Sequence, residues 1–234
     1  MAYTTLTANH VVSGAGLGDP TGVVAGVGGF QFTNDRDTFM RLANAAASAS
    51  AVATVTLGAA TPSGGTYAFT IDIFGVSYVT AAIAYGAITS AMATAVLAAT
   101  NPLTGNAIST DFPAGTCVGS GTALPTGPAV LTFGGAGVTG LATTPLVVTL
   151  DCTLTTGGTY AVKMSTPGTG QGRIYIQNPT TGGLPTAVPI PTGTSWYSFT
   201  PSTYNSPLLA SSGLVSIVFD PQFASYTATL FHVG

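Results

Sequence analysis

Most patterned segments in this chain are short and bounded by glycine or proline, and that punctuation points to strands. There are 31 Gly and 15 Pro among 234 residues. Glycine weakens an element interior, and proline lacks the N–H that a helix or a central strand needs. Between such breaks, short strands fit better than helices. Residues 52–57 and 66–73 alternate with branched or aromatic side chains, and the TPSGG stretch at 61–65 between them predicts a hairpin. Residues 77–80 continue as a third strand. Further short β patterns stand at 129–133, 145–154, 159–164, 173–177, 196–199, 214–220 and 226–233. The one helix is expected over 89–100, with Thr89 or Ser90 as N-cap, Met92, Val96 and Leu97 on one face, and Asn101 and Pro102 ending it. The count is about ten strands and one helix, a mainly β chain with an α+β portion. No repeat of solenoid period occurs.

Charge is the second constraint. Charged residues make up 5% of the chain, against roughly 25% in an ordinary soluble domain. The bases are Arg36, Arg41, Lys163 and Arg173, and the acids are seven Asp and no Glu. A monomer of this mass exposes on the order of 9,700 Å², so one charge serves roughly 900 Å² of surface. Thr, Ser, Gly, Ala and Asn must therefore face the water. Four scattered cations make no nucleic-acid stripe and give anionic lipid little to hold. Residues 78–101 carry no charge, but Val79, Ile83, Ile88, Val96 and Leu97 are their only strong hydrophobes. We expect no membrane span.

Residues that carry chemistry are few. Nucleophilic catalysis needs a base, and the only histidines are His10 and His232, with no G-x-S-x-G elbow. Cys117, Cys152 and the two histidines match no zinc spacing. The glycines at 134–140, reading GGAGVTG, are followed by no Lys-Ser or Lys-Thr and open no helix, so they read as turns. The aromatics could build a sugar-binding platform, though in alternating β segments they serve core and interface first. We expect no enzyme activity, cofactor, metal or small-molecule substrate. Both cysteines are expected free, Cys152 pointing inward and Cys117 in an exposed loop. The one charge cluster is Asp35, Arg36, Asp37 and Arg41. It is expected to fix a turn or an intersubunit contact, with a solvated hairpin tip as the alternative. Residues 1–29 are glycine-rich and read as an extended arm with one short strand at 4–12. Tyr3 and Leu6 are among its few apolar anchors, expected in contact with neighbouring copies.

Residues 28–45, reading GGFQFTNDRDTFMRLANA, resemble the opening of small bacteriophage structural proteins: a strand, an Asn-Asp turn, and a strand ending in Asn. Phe32, Asn34, Asp35, Arg36, Thr38, Phe39, Leu42 and Asn44 carry the likeness, while Asp37 stands where such turns are usually neutral. The WYSFTPSTYN stretch at 196–205 and the two closing strands are similar to how those proteins end. The middle resembles a small β-β-β-α unit of phage appendages. The resemblance, to capsid decoration or cement proteins, implies a β-sandwich formed by both chain ends, 30–51 plus 190–234. Into it a small α+β module, 52–177, is inserted, and 178–189 serve as a connection. It further implies a virion protein made in the host cytoplasm that binds and stabilises the major capsid lattice, as a homo-oligomer, expected to be a trimer. Left open are a tail or head-fibre protein, a carbohydrate-binding module, and a hydrolase whose site the sequence does not betray.

Overall fold

The computed structural model describes residues 4–11, 22–25, 29–34, 38–58, 60–155, 157–177, 186–199, 214–220 and 226–233. In chain order the first strands are β1 (Thr4–Thr5), β2 (Ala8–Val11), β3 (Val23–Val24), β4 (Phe30–Thr33) and β5 (Thr38–Asn44). Next come β6 (Val52–Leu57), β7 (Gly64–Ile73), β8 (Val76–Val79), β9 (Ile83–Ala84), α1 (Thr89–Leu97), the short α2 (Ile108–Asp111), β10 (Thr116–Gly121), β11 (Ala129–Gly134), β12 (Leu146–Thr155) and β13 (Tyr160–Thr166). The last are β14 (Gly172–Gln177), β15 (Thr186–Ile190), β16 (Gly193–Phe199), β17 (Leu214–Asp220) and β18 (Tyr226–Val233). The chain divides into two compact units, residues 1–47 with 171–234, and residues 48–170.

The unit built from both ends is a β-sandwich. One sheet runs β1-β4-β17-β14-β15; the other runs β16-β5-β18-β2, with β3 also on β18. Alternation explains why the sheets stack. In β5, Thr38, Met40, Leu42 and Asn44 turn inward, while Phe39, Arg41 and Ala43 turn out. The inward faces close one core around Phe30, Phe32, Met40, Leu42, Ile174, Ile217 and Leu230. Aromatic contacts cross between the sheets: Phe32 meets Phe199 edge-on at 5.2 Å, and Phe219 stacks on Tyr226 at 4.5 Å.

The middle unit is a second mainly β body with its own core. Its sheets run β10-β11-β6-β13 and β12-β7-β8, with β9 on β7. Tyr67 of β7 meets Tyr160 of β13 edge-on at 5.2 Å across the two sheets. Helix α1 packs on β10 and β11, burying Met92, Ala93 and Val96. A Cβ on Gly119 of β10 would collide with the Thr89 carbonyl at the start of α1, so a glycine there permits the close approach. At the base of the unit, Ala49 and Thr169 exchange backbone hydrogen bonds of 3.0 and 2.9 Å, tying its two ends together.

Several sequence expectations are corrected. Residues 171–177 do not belong to the insert: β14 pairs with β17 and β15 in the sandwich of the ends, because Ile174 and Ile176 find their apolar face there. The insert ends at Gly170 and begins at Ser48. Of the expected connection at 178–189, residues 186–189 lie in β15 and 178–185 are outside the described residues. The segment 1–29 is no free arm where it is described. β1 adds to β4, and β2 and β3 add to β18, each satisfying backbone groups of a sheet edge. β6 and β7 form no hairpin, since they lie in different sheets; the same holds for β4 and β5. Helix α1 is shorter than expected, and Ile88 rather than Thr89 or Ser90 precedes it as N-cap, without a side-chain cap. Among the described residues, no helix is long and apolar enough to cross a membrane.

Candidate interaction face

The outer surface of the β16-β5-β18 sheet gathers the large side chains that the sandwich core does not take. Register fixes its layout as three rows across three strands. Thr194, Ala43 and Thr227 form the first, Trp196, Arg41 and Thr229 the second, and Ser198, Phe39 and Phe231 the third. Strands stand about 4.8 Å apart and alternate residues about 6.8 Å apart, so the face is a compact grid. Trp196, the single tryptophan, is 61% exposed, and Phe39 is 38% exposed. Arg41 and Phe231 are half-buried, and Thr229 is buried.

Trp196 and Phe231 are not neighbours in the ladder. Two strand spacings, with β5 between, and one row separate them, roughly 12 Å of backbone. Their ring centroids are nevertheless 5.6 Å apart, with 37° between the planes. The two rings therefore lean toward each other across β5, over the ground between Arg41 and Phe39.

The other singled-out residues lie as follows. Arg41 stands on this face, directly opposite Trp196 in the ladder, not at a hairpin tip. Tyr3, Asp35, Arg36 and Asp37 lie outside the described residues. Leu6 is buried in the core of its own sandwich, where contact with a neighbouring copy cannot use it. His232 is buried, its Nδ1 3.2 Å from the Thr38 hydroxyl, and its backbone lies beside that of His10 in the parallel β2–β18 ladder. Cys117 and Cys152 are free. Cys117 is not in a loop but in β10, against the core of the middle unit, and burial pushes its thiol up to about 12. Cys152 packs on the same core; burial raises its thiol most, and a backbone hydrogen bond from Tyr160 lowers it in part. Among the described residues, no three His, Cys, Asp or Glu side chains are grouped so that they could hold a metal ion.

The second notable surface is the outer face of β12-β7-β8. Cross-strand rows there are Thr66 with Thr153, Ala68 with Asp151, Thr70 with Thr149 and Val79, and Asp72 with Val147 and Ser77. Val147 and Val79 are exposed, as are Thr149 and Thr153. The face is made of hydroxyls and methyls with two carboxylates. No protein-family model and no curated protein matches the chain.

The aromatic platform escaped the sequence reading because parity was undecided. In β16, Tyr197 and Phe199 claim the inward side with Ser195, which leaves Trp196 outside with Thr194 and Ser198. Had Phe199 been weighed as the core anchor, the strand's alternation would have pointed Trp196 to solvent.

Proposed function

We propose that this chain is a virion structural protein, not an enzyme, that decorates and stabilises a capsid by binding the assembled lattice of the major capsid protein. Copies of the chain would be further partners, in a trimer. The observation that carries the reading is the β12-β7-β8 outer face. Its rows of Thr, Val and Ala expose methyls and hydroxyls with only Asp72 and Asp151 for charge. A nearly neutral surface avoids the cost of burying charge, and its hydroxyls can exchange water for partners on an opposing surface, which suits broad contacts that hold many copies on a lattice. Binding only the assembled state stabilises it by mass action, site by site. The likeness of residues 28–45 to phage structural proteins points the same way.

The test introduces charge on that face. Thr149→Lys with Thr153→Lys should leave thermal unfolding of the isolated protein nearly unchanged, since both side chains are exposed. Occupancy on particles assembled from the co-encoded major capsid protein should fall at least tenfold. Full occupancy by the double variant would defeat the role of this face. A particle whose thermal stability is the same with and without the protein would defeat the decoration reading itself.

A further inference from the structure

We propose that the platform of Trp196, Phe39 and Phe231, with Arg41 between them, is a binding site for a neutral saccharide. A pyranose ring has a face of C–H bonds and a rim of hydroxyls. The platform offers a counterpart to each. The exposed indole of Trp196 supplies a π face, electron-rich enough to attract polarised C–H groups. The guanidinium of Arg41, opposite Trp196 in the ladder, carries five N–H donors, so those its protein partner leaves over can meet adjacent sugar hydroxyls. Thr194, Ser198 and Thr227 stand around the aromatic group in the same grid and can donate or accept.

Size and charge separate a saccharide from a protein partner. Trp196 at 61% exposure offers on the order of 150 Å² and Phe39 at 38% about 80 Å². A stable protein contact takes roughly 800 Å² from each side, centred on a dry apolar cluster. The two exposed rings together present an area that one or two sugar rings cover, with hydroxyl partners on three of its neighbours. Among the described residues of the platform Arg41 is the one cation, which gives an acidic ligand little to pair with, whereas an uncharged polyol needs only stacking and hydroxyl partners. The lean of Trp196 and Phe231 toward each other holds the indole over the middle strand. Part of its ordering is thus met before a ligand arrives.

The site goes beyond lattice attachment and does not depend on it. Because Trp196 is the sole tryptophan, intrinsic fluorescence of the full chain reads the site directly. The probes are soluble dextran, yeast mannan, galactan and linear β-glucan. At least one is expected to shift the emission saturably and to retard the protein in affinity gels. Trp196→Ala should abolish retardation, Trp196→Phe should retain part of it, and Arg41→Ala should weaken it about tenfold or more. Unfolding curves of the variants should match the parent. Four results would overturn the proposal: no response to any of the four polymers, retardation that survives Trp196→Ala, equal binding by Arg41→Ala, or loss of particle occupancy by Trp196→Ala without any saccharide response. The last would mark the face as a protein contact. The charged variants of the β12-β7-β8 face should bind saccharide normally, so failure of the lattice reading and failure of this one are told apart.

Discussion

The hydroxyl of Tyr226 occupies the space in which Gly172 would carry a side chain. Tyr226 comes from β18 and Gly172 from β14, in opposite sheets, so this contact spans the thickness of the sandwich. The ring cannot swing away, because it is stacked on Phe219 at 4.5 Å. Gly172→Ala should therefore cost about 1–3 kcal/mol, the range for overpacking a filled core. Tyr226→Phe removes the blocking oxygen, so the double variant should lose less than the sum of the two single ones. Urea unfolding of all four proteins measures the coupling; simple additivity would show that the two residues do not compete for space.

A similar close approach holds α1 against β10. Gly119→Ala brings a methyl into the Thr89 carbonyl and must push the helix start off the sheet, for about 1–3 kcal/mol. Gly86→Ala serves as the control, since a Cβ there meets nothing within 4 Å. It should change stability by less than about 0.5 kcal/mol. Thermal unfolding ranks the two.

Tyr67 lies in the core of the middle unit with its hydroxyl buried and no hydrogen-bond partner among the described residues. An unsatisfied hydroxyl in a core is a net cost, while the ring earns its place by contacts with Phe69 and Tyr160. Tyr67→Phe should hold stability level or raise it by about 1 kcal/mol. A loss larger than that would reveal a partner for the oxygen. Chemical denaturation decides.

Alkaline pH should destabilise the middle unit, where Cys117 and Tyr67 lie. Burial raises the Cys117 thiol from 9.0 to about 12, and burial, then the nearby Tyr160 and Cys152, raises the Tyr67 hydroxyl. In each case the folded state holds a proton that the unfolded chain releases first. Their contribution to stability is complete below about pH 9 and is lost as pH climbs toward 12. Cys117→Ala should flatten that decline, and Tyr67→Phe should flatten it at its upper end. Urea midpoints at several pH values from about 7 to 11 test this; identical slopes in parent and Cys117→Ala would refute it.

Apart from β10, read as a loop, and β15, read as a connection, most of the longer strands were legible in the sequence, because segments such as Leu214 to Asp220 alternate between Gly and Pro breaks. Pairing was not. The TPSGG stretch says that the chain turns, yet turn residues do not say whether the next strand returns to the same sheet. Here Val55 and Tyr67 face one core from opposite sheets, which buries more apolar surface than a flat hairpin would. The place of β14 was hidden for a related reason. Ile174 and Ile176 announce a half-buried strand, but their partners Phe219 and Ile217 lie some forty residues on. The charge cluster at 35–37 was conspicuous by composition, whereas the Trp196 platform depends on which parity of β16 the core selects.

The Ala49–Thr169 pair carries a consequence for how the polypeptide is made. It closes residues 48–170 into a body whose every sheet partner is already synthesised when Gly170 leaves the ribosome. β4 and β5 emerge long before β16, β17 and β18, the strands that flank them. Vectorial synthesis would thus complete the middle unit first and keep Phe30, Phe32, Met40 and Leu42 waiting, uncovered, until the last strands arrive. Cotranslational chaperones would find their substrate in those early strands, and a ribosome stalled once Gly170 has cleared its exit tunnel should display a protease-resistant middle unit beside a cleavable N-terminal segment.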